Sequence, residues 1–253
     1  MAYFKYKEKS IYYEEKGYGR ILVLLLHGNT ASSKMFKDIS TLYEKDFRIF
    51  MLDFLGHGKS DRITEIPDNI WYEEALQTAE FLKIINEERI NIIGTSGGAL
   101  AAINTALIYP KRINKVIADS FEGEYALDII GESIETEREN SKSDAKMIEF
   151  WKENHGTDWE SIVDNDTKAI IKHYKNIKNF FCKNLSELKV PVMLTGSMED
   201  EYAEYVTFEK VYKEMLEKIP NGEIHLFEKG GHPAFITAGN DFLRKAKKFF
   251  EEK

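Results

Sequence analysis

The pentapeptide at residues 94–98, Gly-Thr-Ser-Gly-Gly, places a serine between glycines in the pattern G-x-S-x-G. It follows an aliphatic run at residues 90–93 and precedes a segment with helical spacing. A serine on a tight strand-to-helix turn needs small neighbours, and the turn projects its Oγ clear of the sheet. The N–H groups at the start of the helix would favour a developing oxyanion there. The pattern predicts that Ser96 is a nucleophile, and the alternative is a glycine-rich turn with an incidental serine.

A serine hydroxyl is a weak nucleophile unless a base removes its proton, so the six histidines are the next candidates. His232 follows two glycines and a predicted strand, which frees its loop to bring the imidazole over the carboxyl edge of a sheet, where α/β proteins place their sites. We predict that His232 is the base, with loop capping as the alternative. His27 and His57 are expected to fix loops by hydrogen bonds, and His155 and His173 to lie at the surface.

The imidazole in turn needs a carboxylate that holds its tautomer and balances its charge. Asp200 follows the predicted strand at residues 191–194 and lies between the serine and the histidine, which gives the chain order Ser, Asp, His. Adjacent residues of an extended loop point in opposite directions, so Glu199 and Asp200 cannot both face the imidazole easily. We predict Asp200, because its shorter side chain holds an imidazole more rigidly. Glu199, and Asp119 at the end of the preceding predicted strand, stay open as alternative acids.

The elements that must position these residues follow an α/β rhythm. Helical spacing at residues 71–86 and 99–109 alternates with short aliphatic runs, and such runs without polar alternation are typical of parallel strands covered on both faces. Residues 3–7 and 11–15 are expected to form an antiparallel ribbon at the edge of the sheet. The aliphatic runs are residues 21–26, 47–52, 90–93, 113–118 and 191–194.

The rhythm stops between residues 123 and 185, where helical periodicity dominates and no strand-like run occurs. We therefore predict a core of residues 1–122 and 186–253 with a helical insertion at residues 123–185. Trp151 and Trp159 of this insertion are expected either to line a pocket for an apolar group or to form the core of the insertion itself.

The composition excludes several classes of protein. The 253 residues carry 35 Lys and Arg against 43 Asp and Glu, a net charge of −8, whereas a nucleic-acid groove needs a basic surface. The single cysteine, Cys182, excludes an internal disulfide framework and a cysteine-based zinc site. The longest aliphatic run, residues 21–26, is far shorter than the roughly 20 residues that cross a bilayer. We predict a cytoplasmic protein without nucleic-acid or membrane partners, and no pattern indicates its oligomeric state.

Five short segments, in this order, resemble the α/β-hydrolase superfamily, in particular its serine esterases and lipases with a helical cap. They are the tripeptide at residues 27–29 and residues 53–60, 94–98, 196–200 and 230–232. The resemblance covers nearly the whole chain and implies an α/β fold with a mostly parallel eight-stranded sheet, helices on both faces and a cap at residues 123–185. It also implies an oxyanion hole formed by the N–H groups of Asn29 and Gly97.

Two details distinguish this chain from other members of the superfamily. The acid loop commonly reads Gly-x-x-Asp there, whereas here the sequence Gly196-Ser-Met-Glu-Asp places Glu199 at that spacing and Asp200 one residue later. The resemblance alone therefore does not decide which carboxylate meets the imidazole. Ser96 occupies the nucleophile position, which disfavours epoxide-hydrolase and haloalkane-dehalogenase chemistry, because those enzymes use a carboxylate there.

Together these residues predict a serine hydrolase that cleaves a small to medium carboxylic ester or thioester through an acyl-enzyme. Its partner would be a small ester-like molecule, and the reaction would require neither a metal nor an organic cofactor. Hydrolysis of a C–C bond, acyl transfer and perhydrolysis can use the same triad and are the alternatives. A non-catalytic ligand-binding protein on the same scaffold is a further alternative, although a pure binder has no need of an activated serine.

Overall fold

One eight-stranded sheet organises the chain, of which the computed structural model describes residues 2–252. The strand order is β1-β2-β4-β3-β5-β6-β7-β8; β2 pairs antiparallel with both β1 and β4, and all other neighbours run parallel. The predicted mostly parallel eight-stranded sheet is confirmed. The strands are β1 (Ala2–Tyr6), β2 (Lys9–Lys16), β3 (Ile21–Leu26), β4 (Phe47–Leu52), β5 (Ile90–Thr95), β6 (Ile113–Asp119), β7 (Val192–Ser197) and β8 (Gly222–Phe227).

Helices cover both faces of this sheet. Helices α2, α3 and α7 contribute to the core on one face, and α1, α8 and α9 to the core on the other. In the described part of the chain, no helix is both long and apolar enough to span a membrane. The helices are α1 (Lys37–Tyr43), α2 (Ile70–Ile84), α3 (Gly97–Ile108), α4 (Asp128–Ser141), α5 (Ala145–His155), α6 (Trp159–Asn176), α7 (Phe208–Leu216), α8 (Ala234–Thr237) and α9 (Gly239–Glu251).

The aliphatic runs of the sequence are explained by burial on two sides. In β3, Val23 and Leu25 pack into one core while Leu24 and Leu26 pack into the other, because successive side chains of a strand point to opposite faces. Each fully buried aliphatic side chain contributes about 1.5–3 kcal/mol relative to an exposed one. A strand covered on both faces therefore carries no polar alternation.

The parallel strands end at one edge of the sheet. Thr95 of β5 pairs with Asp119 of β6, and Asp119 pairs with Thr195 of β7. The loops that follow these strands are thereby brought side by side, together with the loop that follows Leu26 of β3. This edge carries the candidate site.

Between β6 and β7 the chain forms α4, α5 and α6, and we keep the name insertion for residues 123–185. Trp151 and Trp159 stack with ring centroids 5.3 Å apart and form a small core with Val163. Both indoles are buried, and neither borders the cavities described below. Of the two roles expected for them, the structure supports core packing.

Candidate active site

Ser96 lies at the turn between β5 and α3 with φ 53° and ψ −124°. This left-handed conformation is strained for a residue with a side chain and persists only where the surroundings hold it. The neighbouring glycines make the turn possible, because a Cβ at Gly94 would collide with the Gly98 carbonyl and a Cβ at Gly98 with the Leu26 carbonyl. The Ser96 N–H donates to the Asp119 carbonyl over 2.8 Å, which ties the turn to β6. The local geometry is that of the turn predicted from the G-x-S-x-G pattern.

Asn29 and Gly97 border the same cavity as Ser96, one from the loop after β3 and the other from the start of α3. A Cβ added at Gly97 would collide with Asn29 Oδ1, so only glycine fits there. The Gly97 N–H belongs to the first turn of α3, where the helix itself offers no acceptor. Asn29 is held from two sides, since Oδ1 accepts from Trp71 Nε1 over 3.2 Å and Nδ2 donates to Asp166 Oδ2 over 3.0 Å.

The His232 imidazole is joined to Asp200 by a hydrogen bond of 2.9 Å between Nδ1 and Oδ2. Asp200 is buried, and its Oδ1 accepts from the Tyr202 N–H over 2.9 Å. This bond to the backbone two residues later fixes the orientation of the carboxylate. The backbone N–H of His232 donates to Glu201 Oε2 over 2.7 Å. With Nδ1 as the donor to the carboxylate, Nε2 is the nitrogen that can accept a proton.

The two alternative acids are directed elsewhere. The buried Asp119 accepts from Thr195 Oγ1 over 2.7 Å and from the Phe235 N–H over 2.8 Å. Burial raises the pKa of Asp119 to about 6, although these hydrogen bonds act to lower it. Glu199 Oε2 accepts from the Gly230 N–H over 3.3 Å. Of the three candidates, the structure brings only Asp200 into hydrogen-bond contact with the imidazole.

Ser96 and His232 border two adjoining cavities that open to solvent, with about 610 Å³ and about 1470 Å³ of empty space when the open part is included. Within residues 2–252, Ser96 Oγ and the imidazole make no direct hydrogen bond; such contacts in free enzymes are often long and tighten with substrate. No group of three His, Cys, Asp or Glu side chains in the same range is arranged to hold a metal ion. The smaller cavity has a largely apolar lining that includes Trp71, Leu100, Phe121, Ile134, Ile170 and Phe208.

Near Asn29, the insertion contacts the core through buried hydrogen bonds of Asn154, His155 and Asp166. We call this network the polar anchor. Asp166 of α6 accepts from Asn29 Nδ2, from the Thr30 N–H over 3.1 Å and from His57 Nε2 over 3.1 Å. Burial acts to raise the pKa of Asp166, but the hydrogen bond from His57 and other favourable contacts outweigh it, so this pKa lies below its ordinary value.

One prediction was wrong in the α5 part of the polar anchor. His155 was expected at the surface, but it is buried; its Nδ1 accepts from the Gly58 N–H over 3.1 Å and its Nε2 donates to the Thr30 carbonyl over 3.0 Å. Burial lowers the pKa of His155 to about 3, so the ring is neutral. Asn154 Oδ1 accepts from the Ser32 N–H over 2.8 Å and from its hydroxyl over 2.7 Å.

The prediction for His173 was also wrong, because this side chain is buried and its Nδ1 donates to the Asp68 carbonyl over 2.8 Å. Helical spacing alone cannot show that a loop of the core covers this face of the insertion. His27 agrees with its predicted structural role: Nδ1 donates to the Gly28 carbonyl over 2.8 Å and Nε2 accepts from the Phe54 N–H over 3.1 Å. Burial lowers the pKa of His27 to about 3.

Sequence reasoning missed two charged residues of the insertion at the site, Asp166 and Arg138. Arg138 borders both cavities together with Ser96 and His232. A signal for it was present, because Arg138 follows Ile134 by four residues and thus continues the apolar stripe of α4 with a charge. For Asp166 no local signal exists, since its partners are 109 to 137 residues away in the chain.

The comparisons with known proteins concern the fold of the chain. A curated relative, 2-hydroxy-6-oxo-6-phenylhexa-2,4-dienoate hydrolase of Comamonas testosteroni, is 22% identical over 267 aligned positions, which cover 96% of this chain and 92% of the relative. The structure of a hydrolase from Pseudomonas aeruginosa PA01 superposes with a TM-score of 0.75 at 13% identity, covering 99% of this chain and 98% of the other. The enol-lactonase from Burkholderia xenovorans LB400 superposes with a TM-score of 0.73 at 16% identity, covering 99% of this chain and all of the other.

A family profile gives the assignment. The profile of the alpha/beta hydrolase fold matches residues 21–154, more than half of the chain, and includes the turn that carries Ser96. The relatives with similar sequences and structures are themselves hydrolases of this fold. The chain therefore belongs to the α/β-hydrolase fold family.

Proposed function

We propose that the protein is a serine hydrolase that cleaves a small to medium carboxylic ester or thioester, with Ser96 as nucleophile, His232 as base and Asp200 as its carboxylate partner. One observation carries this proposal: the hydrogen bond of 2.9 Å between His232 and Asp200 lies beside the cavity into which the strained turn presents Ser96. A serine, a histidine and a buried carboxylate in this arrangement are recognised by geometry and role.

The groups at the site supply each step of acyl transfer. Ser96 Oγ would attack the substrate carbonyl while Nε2 of His232 takes its proton, and Asp200 would stabilise the imidazolium that forms. The N–H groups of Asn29 and Gly97 would donate to the tetrahedral oxyanion. His232 would then protonate the leaving group and activate the water that hydrolyses the acyl-enzyme.

The insertion acts in this proposal as a cap over the site. Side chains of α4 and α6, including Ile134 and Ile170, form part of the lining of the smaller cavity, while α3 contributes Leu100 from below. A cavity closed on two sides excludes water from the acyl-enzyme and sets the size of the group that enters.

The test is turnover of p-nitrophenyl esters from acetate to octanoate by the wild type and by Ser96→Ala. We expect release of p-nitrophenol by the wild type and only the spontaneous rate with Ser96→Ala. Ser186→Ala, which removes an exposed serine outside the site, is the matched control and should retain wild-type turnover. Equal rates in the wild type and Ser96→Ala would contradict the proposal.

A second candidate is hydrolysis of a C–C bond on the same triad, and the curated relatives favour it. The compound named for the Comamonas testosteroni relative, a 2-hydroxy-6-oxo-dienoate, contains no ester, so its hydrolysis requires a C–C bond to break. Offering this compound beside the p-nitrophenyl esters separates the two activities. A kcat/KM for the dienoate above that of every ester, absent in Ser96→Ala, would favour the second candidate.

A further inference from the structure

Arg138 is a cation on the apolar face of α4. Ile130, Ile134 and Arg138 follow one another at four-residue intervals, and all three border the smaller cavity. Arg138 also borders the larger cavity, so it lines both cavities, as Ser96 and His232 do. The side chain as a whole is half-buried, but its Nε is buried, where an unpaired polar group costs free energy.

The guanidinium has no partner of its own among the side chains that the structure describes. Its Nε is buried without a hydrogen bond, and no carboxylate in that set lies within salt-bridge distance. Three carboxylates border the same cavities, but each accepts a hydrogen bond from another group: Glu122 from the Leu127 N–H, Glu137 from the Ser133 hydroxyl and Glu201 from the His232 N–H.

The raised pKa of Glu122 supports the absence of an ion pair between Glu122 and Arg138. Burial raises the pKa of Glu122 to about 7, whereas a guanidinium in contact would lower it. The charge of Arg138 acts to lower the pKa of Asp166, but the Asp166 oxygens accept from other groups, Oδ1 from Asn29 and Oδ2 from Asn29 and His57. Among the side chains that the structure describes, no carboxylate therefore pairs with Arg138.

The geometry of the Arg138 guanidinium indicates which kind of ligand it would bind. Its planar set of N–H donors matches a carboxylate in a bidentate contact, and such charge-assisted hydrogen bonds are about twice as strong as neutral ones. A cation left unpaired beside a nucleophile, in a cavity with an apolar lining, is therefore a recognition group for an anion that arrives with the substrate.

We propose that Arg138 binds a carboxylate of the substrate, so that the enzyme acts on anionic molecules, such as half-esters of dicarboxylic acids, in preference to neutral esters of the same length. This inference rests on the proposed function, because it assumes that the bond cleaved lies at Ser96. Since Arg138 borders both cavities, the carboxylate would reach it from either the acyl group or the alcohol of the substrate.

The first experiment compares two matched substrate pairs, each corrected for the rate with Ser96→Ala. Mono-p-nitrophenyl adipate against p-nitrophenyl hexanoate places the carboxylate in the acyl group, and 3-acetoxybenzoate against phenyl acetate places it in the alcohol. We expect the wild type to prefer the anionic member of at least one pair. In Arg138→Gln the ratio of kcat/KM values for that pair should fall about 10- to 100-fold.

Two further variants keep the result interpretable. Arg138→Lys retains the charge but not the planar fork, so its ratio should lie between those of the wild type and Arg138→Gln. Arg244→Gln removes an exposed arginine of α9 and should leave both turnover and ratio unchanged. A thermal melt confirms folding of each variant, and if Arg138→Gln does not fold, Arg138→Lys alone decides by its lowered ratio.

A binding measurement separates failure of this inference from failure of the proposed function. Titration calorimetry of Ser96→Ala with adipate, and with neutral adipamide as control, should show binding of adipate that is lost in Ser96→Ala/Arg138→Gln. If no ester is hydrolysed but adipate binds through Arg138, the ester activity fails and the anion site stands. If esters are hydrolysed through Ser96 and neither pair shows a preference that depends on Arg138, the inference is overturned.

Discussion

The insertion contacts the rest of the molecule in two regions, which differ in how far their polar side chains are paired within the chain. In the polar anchor, the side chains of Asp166, His155 and Asn154 are hydrogen-bonded to loops of the core, and of the ring nitrogens of His57 only Nδ1 lacks a partner. At the catalytic cavity, the guanidinium of Arg138 is left without a carboxylate among the described side chains. Both regions are covered by helices of the same insertion.

This difference distinguishes polar groups that stabilise the fold from polar groups that are available to bind a ligand. A buried polar group that is paired within the chain stabilises the arrangement it joins, and one that is left unpaired costs free energy unless a ligand pairs it. Variants in the polar anchor should therefore mainly lower the free energy of unfolding. Variants in the cavity should change activity while the fold is retained.

The largest effect is expected at the cavity, from Asp200→Asn. The amide would leave the His232 imidazole in the wrong tautomer, and a loss in kcat of about 10⁴ is typical of this change in serine proteases. Glu199→Gln, one residue earlier, is the control and should retain most activity, because Glu199 contacts the Gly230 N–H instead. The measurement is kcat with a p-nitrophenyl ester beside a thermal melt. Near-wild-type kcat in Asp200→Asn would show that another carboxylate serves His232.

In the polar anchor, Asp166→Ala should lower the free energy of unfolding by about 3–5 kcal/mol, because it leaves buried donors without an acceptor. Asp164→Ala on the same helix removes only a half-exposed pair with Lys142 and should cost about 1 kcal/mol or less. Urea unfolding of both variants makes the comparison. If the two variants lose equal stability, the polar anchor has no special role in joining the insertion to the core.

The neutral ring of His155 in the polar anchor predicts sensitivity to acid. The pKa of His155 is lowered to about 3 in the folded protein, so between pH 6.5 and 3 the unfolded chain binds a proton that the native ring does not. Stability is therefore lost as pH falls through this window, by about 2 kcal/mol at pH 5 for this one histidine. Urea unfolding at pH 7.5, 6 and 5 should show a shallower fall for His155→Asn than for the wild type. Parallel curves would contradict the neutral ring.

An effect of similar size but opposite pH dependence is expected from Glu122→Gln in the cavity. Because burial raises the pKa of Glu122 to about 7, the native carboxyl holds its proton between pH 4.5 and 7 while the unfolded one releases it. This group therefore favours the folded state at low pH and loses that advantage as pH rises to 7. Relative to the wild type, Glu122→Gln should gain about 2–3 kcal/mol between pH 5 and pH 8. An unchanged difference in melting behaviour at the two pH values would exclude the raised pKa.

The fold and the turn at Ser96 could be predicted because the constraints that shape them are local. The glycines of the turn are required by the backbone within a few residues, and the aliphatic runs reflect burial of single strands. The choice between Glu199 and Asp200 could not be settled from spacing. In the structure it follows from a short turn in which Asp200 Oδ1 accepts from the Tyr202 N–H while Oδ2 accepts from His232.

The contacts of the insertion could not be predicted, because they join distant parts of the chain. Asn29 and Asp166 are 137 residues apart, and no periodicity within α6 shows which loop its buried face covers. The same reason explains the wrong prediction for His155, whose partners are 97 and 125 residues away. Arg138 was open to prediction, since a charge within an apolar helical stripe is visible in the sequence.

Covalent labelling is the direct test of whether Ser96 is a nucleophile activated by His232 and Asp200. The folded wild type, Ser96→Ala and His232→Asn are each treated with a fluorophosphonate, and the intact mass and the modified peptide are determined. We expect one adduct on Ser96 in the wild type, none in Ser96→Ala and much slower labelling in His232→Asn. A folded wild type that forms no adduct, or that is modified at another serine while Ser96→Ala retains turnover, would contradict it.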